Sequence, residues 1–382
     1  MIRITDKSRC TGCTACVTAC PVQCIVMRRD RQGFDYPVAN PDICINCGKC
    51  DAICPVESQR EARVPLGAYA VRVPEYVDLC SSGGVFPKLA EKTLSDDGVV
   101  YGAVLQEDMT IGHTDVWTSE GLKKMRGSKY VQSDLYSVYE EAADNLKDGI
   151  KVTFTGTPCQ IAGLKSYLGK EYENLLTVEV ACHGVPSPGL WDKYLKAVEK
   201  KYGGKVTDVR FRDKSKGWRH YAFVLNVEGK GEISVPYMKD PYMALFVQDV
   251  TLRPSCYDCP FSHGRSDADI TLADLWNVRE AAPAMNDDKG TSLVIINSAK
   301  GLMSIDTVEK QAVDYNKAIK DNGGFMTVRE VPQRRDEFFQ GHSSARDLIA
   351  YMKGFVVRKP LYVVIYRGLR SCLSGLKRRI VR

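Results

Sequence analysis

The chain has 382 residues, 44% of them hydrophobic, which is enough for two or three domains that each bury a core and excludes a small stapled scaffold. Its 53 basic and 47 acidic side chains leave a formal charge of +6, too mild and too mixed to argue for a nucleic-acid partner. The N-terminus carries no apolar signal-like core, and no uninterrupted apolar run of about 18 residues occurs, so a soluble, cytoplasmic protein is expected. Fifteen cysteines in a reducing compartment make a poor disulfide framework, and their bunching at short fixed intervals points to metal ligation.

Cys10, Cys13, Cys16 and Cys20, followed by Pro21, form C-x2-C-x2-C-x3-C-P, and Cys44, Cys47, Cys50 and Cys54 with Pro55 repeat it 34 residues on. A cubane needs four thiolates at its corners, and two-residue gaps let one loop deliver three of them. In two-cluster ferredoxins the fourth Cys of each run serves the other cluster. That rule assigns Cys10, Cys13, Cys16 and Cys54 to one [4Fe-4S] cluster and Cys44, Cys47, Cys50 and Cys20 to a second. The repeat reads as an internal duplication, with Gly12, Ala15, Gly48 and Ala52 leaving room for the cubanes. Zinc wants four ligands, usually as two separated pairs, and two complete runs with trailing prolines overshoot that. Residues 1–64 therefore read as a bacterial-type 2[4Fe-4S] ferredoxin domain, with Cys24 outside both runs as a small buried side chain.

After a transition at 65–74 the pattern turns to alternating strand and helix signals. Runs rich in β-branched residues at 98–105, 151–155, 176–182 and 292–296 predict strands, and helical periodicity predicts helices over 85–95, 159–168, 188–201 and 241–247. The fold class is α+β: the ferredoxin domain, then a larger mixed α/β domain over 65–335. No G-x-G-x-x-G or G-x-x-x-x-G-K-[ST] opens a strand-turn-helix unit, so neither a Rossmann fold nor a P-loop is signalled. Cys159 follows Gly156, Thr157 and Pro158 at a strand-to-helix turn, Cys182 ends a strand before His183 and Gly184, and Cys256 and Cys259 form a C-x2-C pair. These four thiols suffice for a third cubane in one cleft, while four unrelated thiols or a zinc knot compete with that reading.

Several stretches together resemble the coenzyme F420 hydrogenase/dehydrogenase beta subunits, in a form with a ferredoxin domain fused in front. They are Ser81-Ser82-Gly83-Gly84, Gly127-Ser128-Lys129-Tyr130-Val131, residues 154–164 around Thr157-Pro158-Cys159, Cys182-His183-Gly184-Val185-Pro186, and Cys256-Tyr257-Asp258-Cys259 followed by Ala268-Asp269-Ile270. The resemblance implies a flavoprotein that binds FAD without a Rossmann fingerprint and sets a third [4Fe-4S] cluster, at Cys159, Cys182, Cys256 and Cys259, close to the flavin. It further implies that Ser81, Ser82, Gly83 and Gly84 offer amides to the FAD pyrophosphate, with Lys129 supplying charge nearby. Thr157 and Pro158 would shape the flavin-facing cleft, and Asp269 and Asp274, flanking a short apolar strand, would bond ribose or ring nitrogens. His183 would steer a proton as the catalytic residue. Ala273 stands where the family commonly has Gly, and its Cβ would narrow a backbone approach near Asp274. Cys80 and Cys372 have no obvious ligand partners.

Residues 336–382 read as a basic helical tail. From Phe355 onward it mixes apolar residues with eight Lys or Arg and no acidic residue, a pattern suited to docking on an anionic membrane surface or an acidic partner. The expected function is an iron–sulfur flavoprotein oxidoreductase whose redox partner is a protein or a small-molecule electron donor or acceptor. Ferredoxin, NAD(P)H and F420 remain open as that partner. The alternative is a non-catalytic electron-transfer subunit that wires a partner enzyme.

Overall fold

The computed structural model describes residues 2–58, 61–135, 137–262, 264–320, 322–325 and 328–357. In the N-terminal module the duplication is written into the backbone. Gly12 (φ 71°) and Asn46 (φ 52°) adopt the left-handed conformation, and so do Thr14 (φ 61°) and Gly48 (φ 73°), 34 residues apart in each case. Left-handed residues two apart curl each loop so that its thiols gather on one side, ahead of α1 (Ala15–Thr18) and α2 (Lys49–Ala52). A β-branched threonine holds such a φ only where surrounding structure enforces it. Strands β1 (Ile25–Arg29) and β2 (Asp35–Ala39) form a hairpin whose turn is closed by Asp30 Oδ1, which accepts from the Gln32 and Phe34 amides.

The larger domain is organised by an eight-stranded sheet. Its strands are β3 (Gly67–Val71), β4 (Val99–Leu105), β5 (Ile111–Val116), β6 (Val152–Gly156), β7 (Leu175–Val180), β11 (Ile270–Asp274), β12 (Ser292–Ile296) and β13 (Lys310–Ala312). They run in the order β13-β3-β12-β11-β7-β6-β4-β5, with β4, β6, β7 and β11 parallel to their neighbours in this set. Parallel strands are covered on both faces, which is why 98–105 and 151–155 read as apolar runs rather than alternating ones, and β12, though antiparallel to both neighbours, is buried along its whole length and reads the same way. Around the sheet pack α3 (Pro74–Val77), α4 (Val85–Ser95), α5 (Ser119–Met125), α6 (Val138–Lys147), α7 (Pro158–Leu168), α8 (Pro188–Tyr202) and α9 (Pro241–Val247). Four predicted helices recur within a residue of their expected bounds. The predicted strand over 176–182 instead ends at Val180, leaving Cys182 in a loop.

Sequence reading did not anticipate a second, three-stranded antiparallel sheet of β8 (Val206–Asp213), β9 (Ala222–Val227) and β10 (Gly231–Pro236). With α8 and α9 it encloses an aromatic core that includes Trp191, Tyr194, Phe211, Phe223 and Tyr242. Two of the expectations on domain limits change here. The boundary at 336 cuts through the helix Arg335–Gly341, and that helix and Leu348–Phe355 bury Phe338, Phe339, Met352 and Phe355 in the same core, so 336–357 is not a tail. The basic residues from Arg358 on, and Cys372, lie outside the described residues.

The ferredoxin hairpin also enters this core, through Phe34 and Tyr36. Gly189 N donates to Gly33 O at 3.0 Å, and the Ser187 hydroxyl both donates to Gln32 O at 2.7 Å and accepts from Leu190 N, capping α8. Gly33 has φ 85°, and a Cβ there would stand 2.3 Å from Ser187 Oγ and 2.9 Å from Gly189 Cα. Gly33→Ala is therefore expected to cost about 2–4 kcal/mol, from left-handed strain plus overpacking. Urea denaturation of the anaerobically prepared protein checks this, and a midpoint unchanged from the parent would remove the contact from the account.

Candidate iron–sulfur and cofactor site

Two concavities in the N-terminal module each collect one of the expected sets of four cysteines, the second with Cys24 as a fifth. One is lined by Cys10, Cys13, Cys16 and Cys54, together with Gly12 and Thr14. The other is lined by Cys44, Cys47, Cys50 and Cys20, with Gly48 and Ala39. In each, three thiols come from one run and the fourth from the other. Donors already point at sulfur: Ile2 N approaches Cys50 Sγ at 3.2 Å, and Cys24 N approaches Cys20 Sγ at 3.3 Å. Cys24 is buried as expected, but its own sulfur lies 3.4 Å from Cys20 Sγ in the second concavity. Burial pushes the Cys13 thiol up to about 12 and the Cys24 thiol to about 11.

The parallel sheet supplies the next group, because the carboxyl ends of neighbouring parallel strands lie along one edge. Gly156 ends β6 and pairs with Glu179 of β7, while Leu272 of β11 pairs with Val180. The chain leaving β6 reaches Cys159 and the chain leaving β7 reaches Cys182. The segment carrying Cys256 and Cys259 is brought to the same edge through a bridge between Leu252 and Pro186. A Cβ on Gly184 would stand 3.2 Å from Cys256 Cβ, and Cys159 and Cys259 pack together against Val56 and Phe261. Burial raises the Cys182 thiol, and its neighbours Cys256, Cys159 and Cys259 raise it further, so the four thiols share one electrostatic environment. Burial holds Cys256 near 11 and Cys259 near 12. Thr157 and Pro158 start α7: Thr157 forms a capping box with Gln160, and its hydroxyl is 3.3 Å from Cys159 Sγ. His183 Nε2 is 2.7 Å from Asp249 Oδ1, unaligned for a hydrogen bond, and the ring stands edge-on to Phe246.

The Ser81 to Gly84 turn leads directly into α4. Gly83 N is already donated to Ser292 Oγ at 3.0 Å, and Cβ atoms on Gly83 or Gly84 would strike Val71 O and Tyr76, so these two glycines serve close packing. Ser81 and Ser82 remain half-buried, with Ser81 Oγ accepting from Ser128 N. The Lys129 ammonium donates to Met125 O, Arg126 O and Gly127 O, capping the C-terminus of α5, and burial lowers its pKa to about 8. Asp269 is committed to the fold: Oδ2 accepts from Thr177 N and Oγ1, and Oδ1 from Ser298 Oγ. Asp274 accepts from Arg212 Nη1 at 2.6 Å and Trp218 Nε1 at 3.1 Å, while Ala273 packs its side chain into a core with Trp218 and Leu293.

The sequence reading named Lys129 but missed the cations that join it, Arg126, Lys214 and Arg212. Arg126, Lys214 and Lys129 all act on the Cys80 thiol, which burial otherwise raises, and Lys214 ties Val77 O and Ser82 O to Lys289 O. Arg212, its side chain 4% exposed, stacks on Tyr221 and Trp276 and leaves Nε and Nη2 buried without a hydrogen-bond partner; Arg126 Nε is likewise unpartnered. Unsatisfied buried guanidinium donors among several cations fit an anionic, phosphate-bearing group.

Comparisons with known proteins agree with this division. Residues 9–58 match the family described as "4Fe-4S dicluster domain", and residues 149–321 match the family that describes the C terminus of the coenzyme F420 hydrogenase/dehydrogenase beta subunit. An uncharacterized protein of Methanocaldococcus jannaschii is 25% identical over 210 residues, 44% of this chain and 56% of that protein. A 7Fe ferredoxin of Hydrogenibacillus schlegelii is 42% identical over 55 residues, 14% of this chain and 64% of its own, so the chain spans under two thirds of both relatives. A ferredoxin of Saccharopolyspora erythraea is 41% identical over 80 residues, 20% of this chain and 71% of its own. A chain of the F420-reducing [NiFe] hydrogenase complex from Methanosarcina barkeri superposes with TM-score 0.41 at 18% identity, covering 77% of this chain and 92% of that one. The chain thus joins an N-terminal 4Fe-4S dicluster ferredoxin domain to a segment, residues 149–321, that matches the C-terminal domain family of the coenzyme F420 hydrogenase/dehydrogenase beta subunits.

Proposed function

We propose that the chain is an iron–sulfur flavoprotein oxidoreductase with three [4Fe-4S] clusters and one FAD. Its redox partner is a protein or a small molecule such as F420, reduced ferredoxin or NAD(P)H. The observation that carries the reading is the abutment of the thiol sets. The backbone of Gly163 on α7 lies against Cys13, where a Cβ would stand 3.3 Å from its sulfur, and α7 itself begins at Pro158 beside Cys159. Cys10, Cys13, Cys16 and Cys54 hold one cluster, Cys44, Cys47, Cys50 and Cys20 the second, and Cys159, Cys182, Cys256 and Cys259 the third. When bound, cubanes exchange single electrons and a flavin exchanges one or two, which joins hydride chemistry to electron transfer.

The flavin phosphates are assigned to Arg212 and Arg126, whose free donors need an anion, with Ser81 and Ser82 at the same place and Lys214 adding charge. Asp274 orients Arg212 rather than touching the cofactor. His183, beside Cys182, is positioned to take up or release a proton. Residues 1–64 make the ferredoxin domain, and the larger unit runs from 65 through the helices that end at Phe355. Among the described residues no helix is long and apolar enough to cross a membrane.

Anaerobic purification with iron, sulfide and flavin analysis is expected to give about twelve iron atoms and one FAD per chain. About eight iron and no flavin would remove the third cluster and the flavin together. Cys259→Ser is expected to lower iron by about four while the EPR signals of the N-terminal pair persist; retention of all the iron would detach Cys259 from any cluster. For the flavin, Arg212→Met should weaken retention by at least about tenfold, given that charged hydrogen bonds contribute roughly 1.5–3 kcal/mol. Burial holds Lys214 near 8, among Arg212, Cys80, Asp78 and Asp274, so its charge is present below that value and lost above it. Flavin release, followed by fluorescence, should therefore rise as pH passes about 8, and Lys214→Met should flatten that rise.

A further inference from the structure

Arg253 is 1% exposed, one of the largest fully buried side chains, and a guanidinium does not give up its proton inside a protein. Its main chain is rooted in the larger domain: Arg253 N donates to Val185 O, and Arg253 O accepts from Cys256 N. Its head reaches the ferredoxin module instead. Nε donates to Cys10 O at 2.7 Å, Nη2 donates to Asp35 O at 3.0 Å and approaches Cys10 Sγ at 3.7 Å, and Nη1 donates to Gln132 Oε1 at 3.0 Å. The plane lies 4.2 Å from the Tyr36 ring centroid. Every oxygen it meets in these bonds is neutral. A buried charge without a counter-charge is strongly disfavoured, so this cation calls for negative charge close by.

The nearest candidates are sulfur. Arg253 approaches Cys10 Sγ, and its own carbonyl accepts from Cys256 N at 2.9 Å, so the residue is tied to both thiol sets. It thus stands between the Cys10, Cys13, Cys16, Cys54 concavity and the Cys159, Cys182, Cys256, Cys259 set. The fold makes room for it: Gly12 has φ 71°, and a Cβ there would come within 3.0 Å of the Arg253 Cζ. The third position of the first Cys run is a glycine where a guanidinium from another domain must pass. A fixed positive charge at this distance stabilises whichever oxidation state of a cluster is more negative.

We infer that Arg253 is a positioning residue for electron transfer. Its charge, shared between the first and third thiol sets, raises the reduction potentials of the clusters they hold, and the cluster at Cys44, Cys47, Cys50 and Cys20 is left apart. The inference rests on the iron–sulfur reading of those sets given above.

The test uses the full chain, purified anaerobically, with iron and sulfide counted first and potentials then read by EPR-monitored titration with mediators. Arg253→Met should keep its iron and lower the potentials of two clusters while the third stays within error of the parent. Arg253→Lys should recover most of the shift, because it restores charge without the fork of donors. Gln132→Glu keeps the guanidinium and sets a carboxylate beside it, and should lower the same two potentials; it decides the matter if Arg253→Met does not assemble. Unchanged potentials in an iron-replete Arg253→Met, or in Gln132→Glu, overturn the inference and leave Arg253 as a docking peg. A parent protein with only about eight iron instead counts against the third cluster, and a shift confined to one signal then still tests the Cys10 side.

Discussion

Much of the molecule depends on how closely helix α7 lets the ferredoxin module approach. Cys159 and Gly163 are four residues apart and so share a face of that helix. The first of them belongs to the thiol set at the edge of the sheet, and the second has no side chain where Cys13 arrives. A larger residue at 163 would push the module outward and separate the two thiol sets. The Gly33 to Gly189 contact repeats the device at the hairpin, with two backbones touching where no Cβ intervenes. The two domains are thereby fixed to each other by backbone, which holds distance more strictly than long side chains do.

Charge is laid out in opposition across the larger domain. One end of the sheet gathers the Cys159, Cys182, Cys256 and Cys259 thiols, with Arg253 beside them. Near the turn at Ser81 and Ser82 stand Arg126, Lys129, Lys214 and Arg212, partly neutralised by helix-end carbonyls and by Asp274. Asp269, by contrast, spends its carboxylate on the fold, bonding Thr177 of β7 and Ser298.

How much of this was legible depended on whether the signal was local. Cysteine spacing and trailing prolines are fixed by a few consecutive residues, so both runs, and the helix that opens at Pro158, were readable in place. Strands buried on both faces announced themselves as β-branched runs. The β8 to β10 sheet did not, because Val206–Asp213 mixes Asp and Arg with its buried Val209 and Phe211, and its register carries irregularities. The fold contacts of Lys129 and Asp269 were not legible for a related reason: they are made with three carbonyls at the end of α5 and with a threonine 92 residues away. Lys214 belongs with a turn more than a hundred residues earlier in the chain, and only the topology brings it there.

The high thiol pKa values at Cys13, Cys256 and Cys259 bear on the life of the chain before any iron arrives. A protonated thiol is a poor nucleophile and a poor partner for disulfide exchange, so burial keeps these three cysteines chemically quiet at neutral pH. Ligation as proposed would expel those protons, which ties metal loading at these positions to proton release.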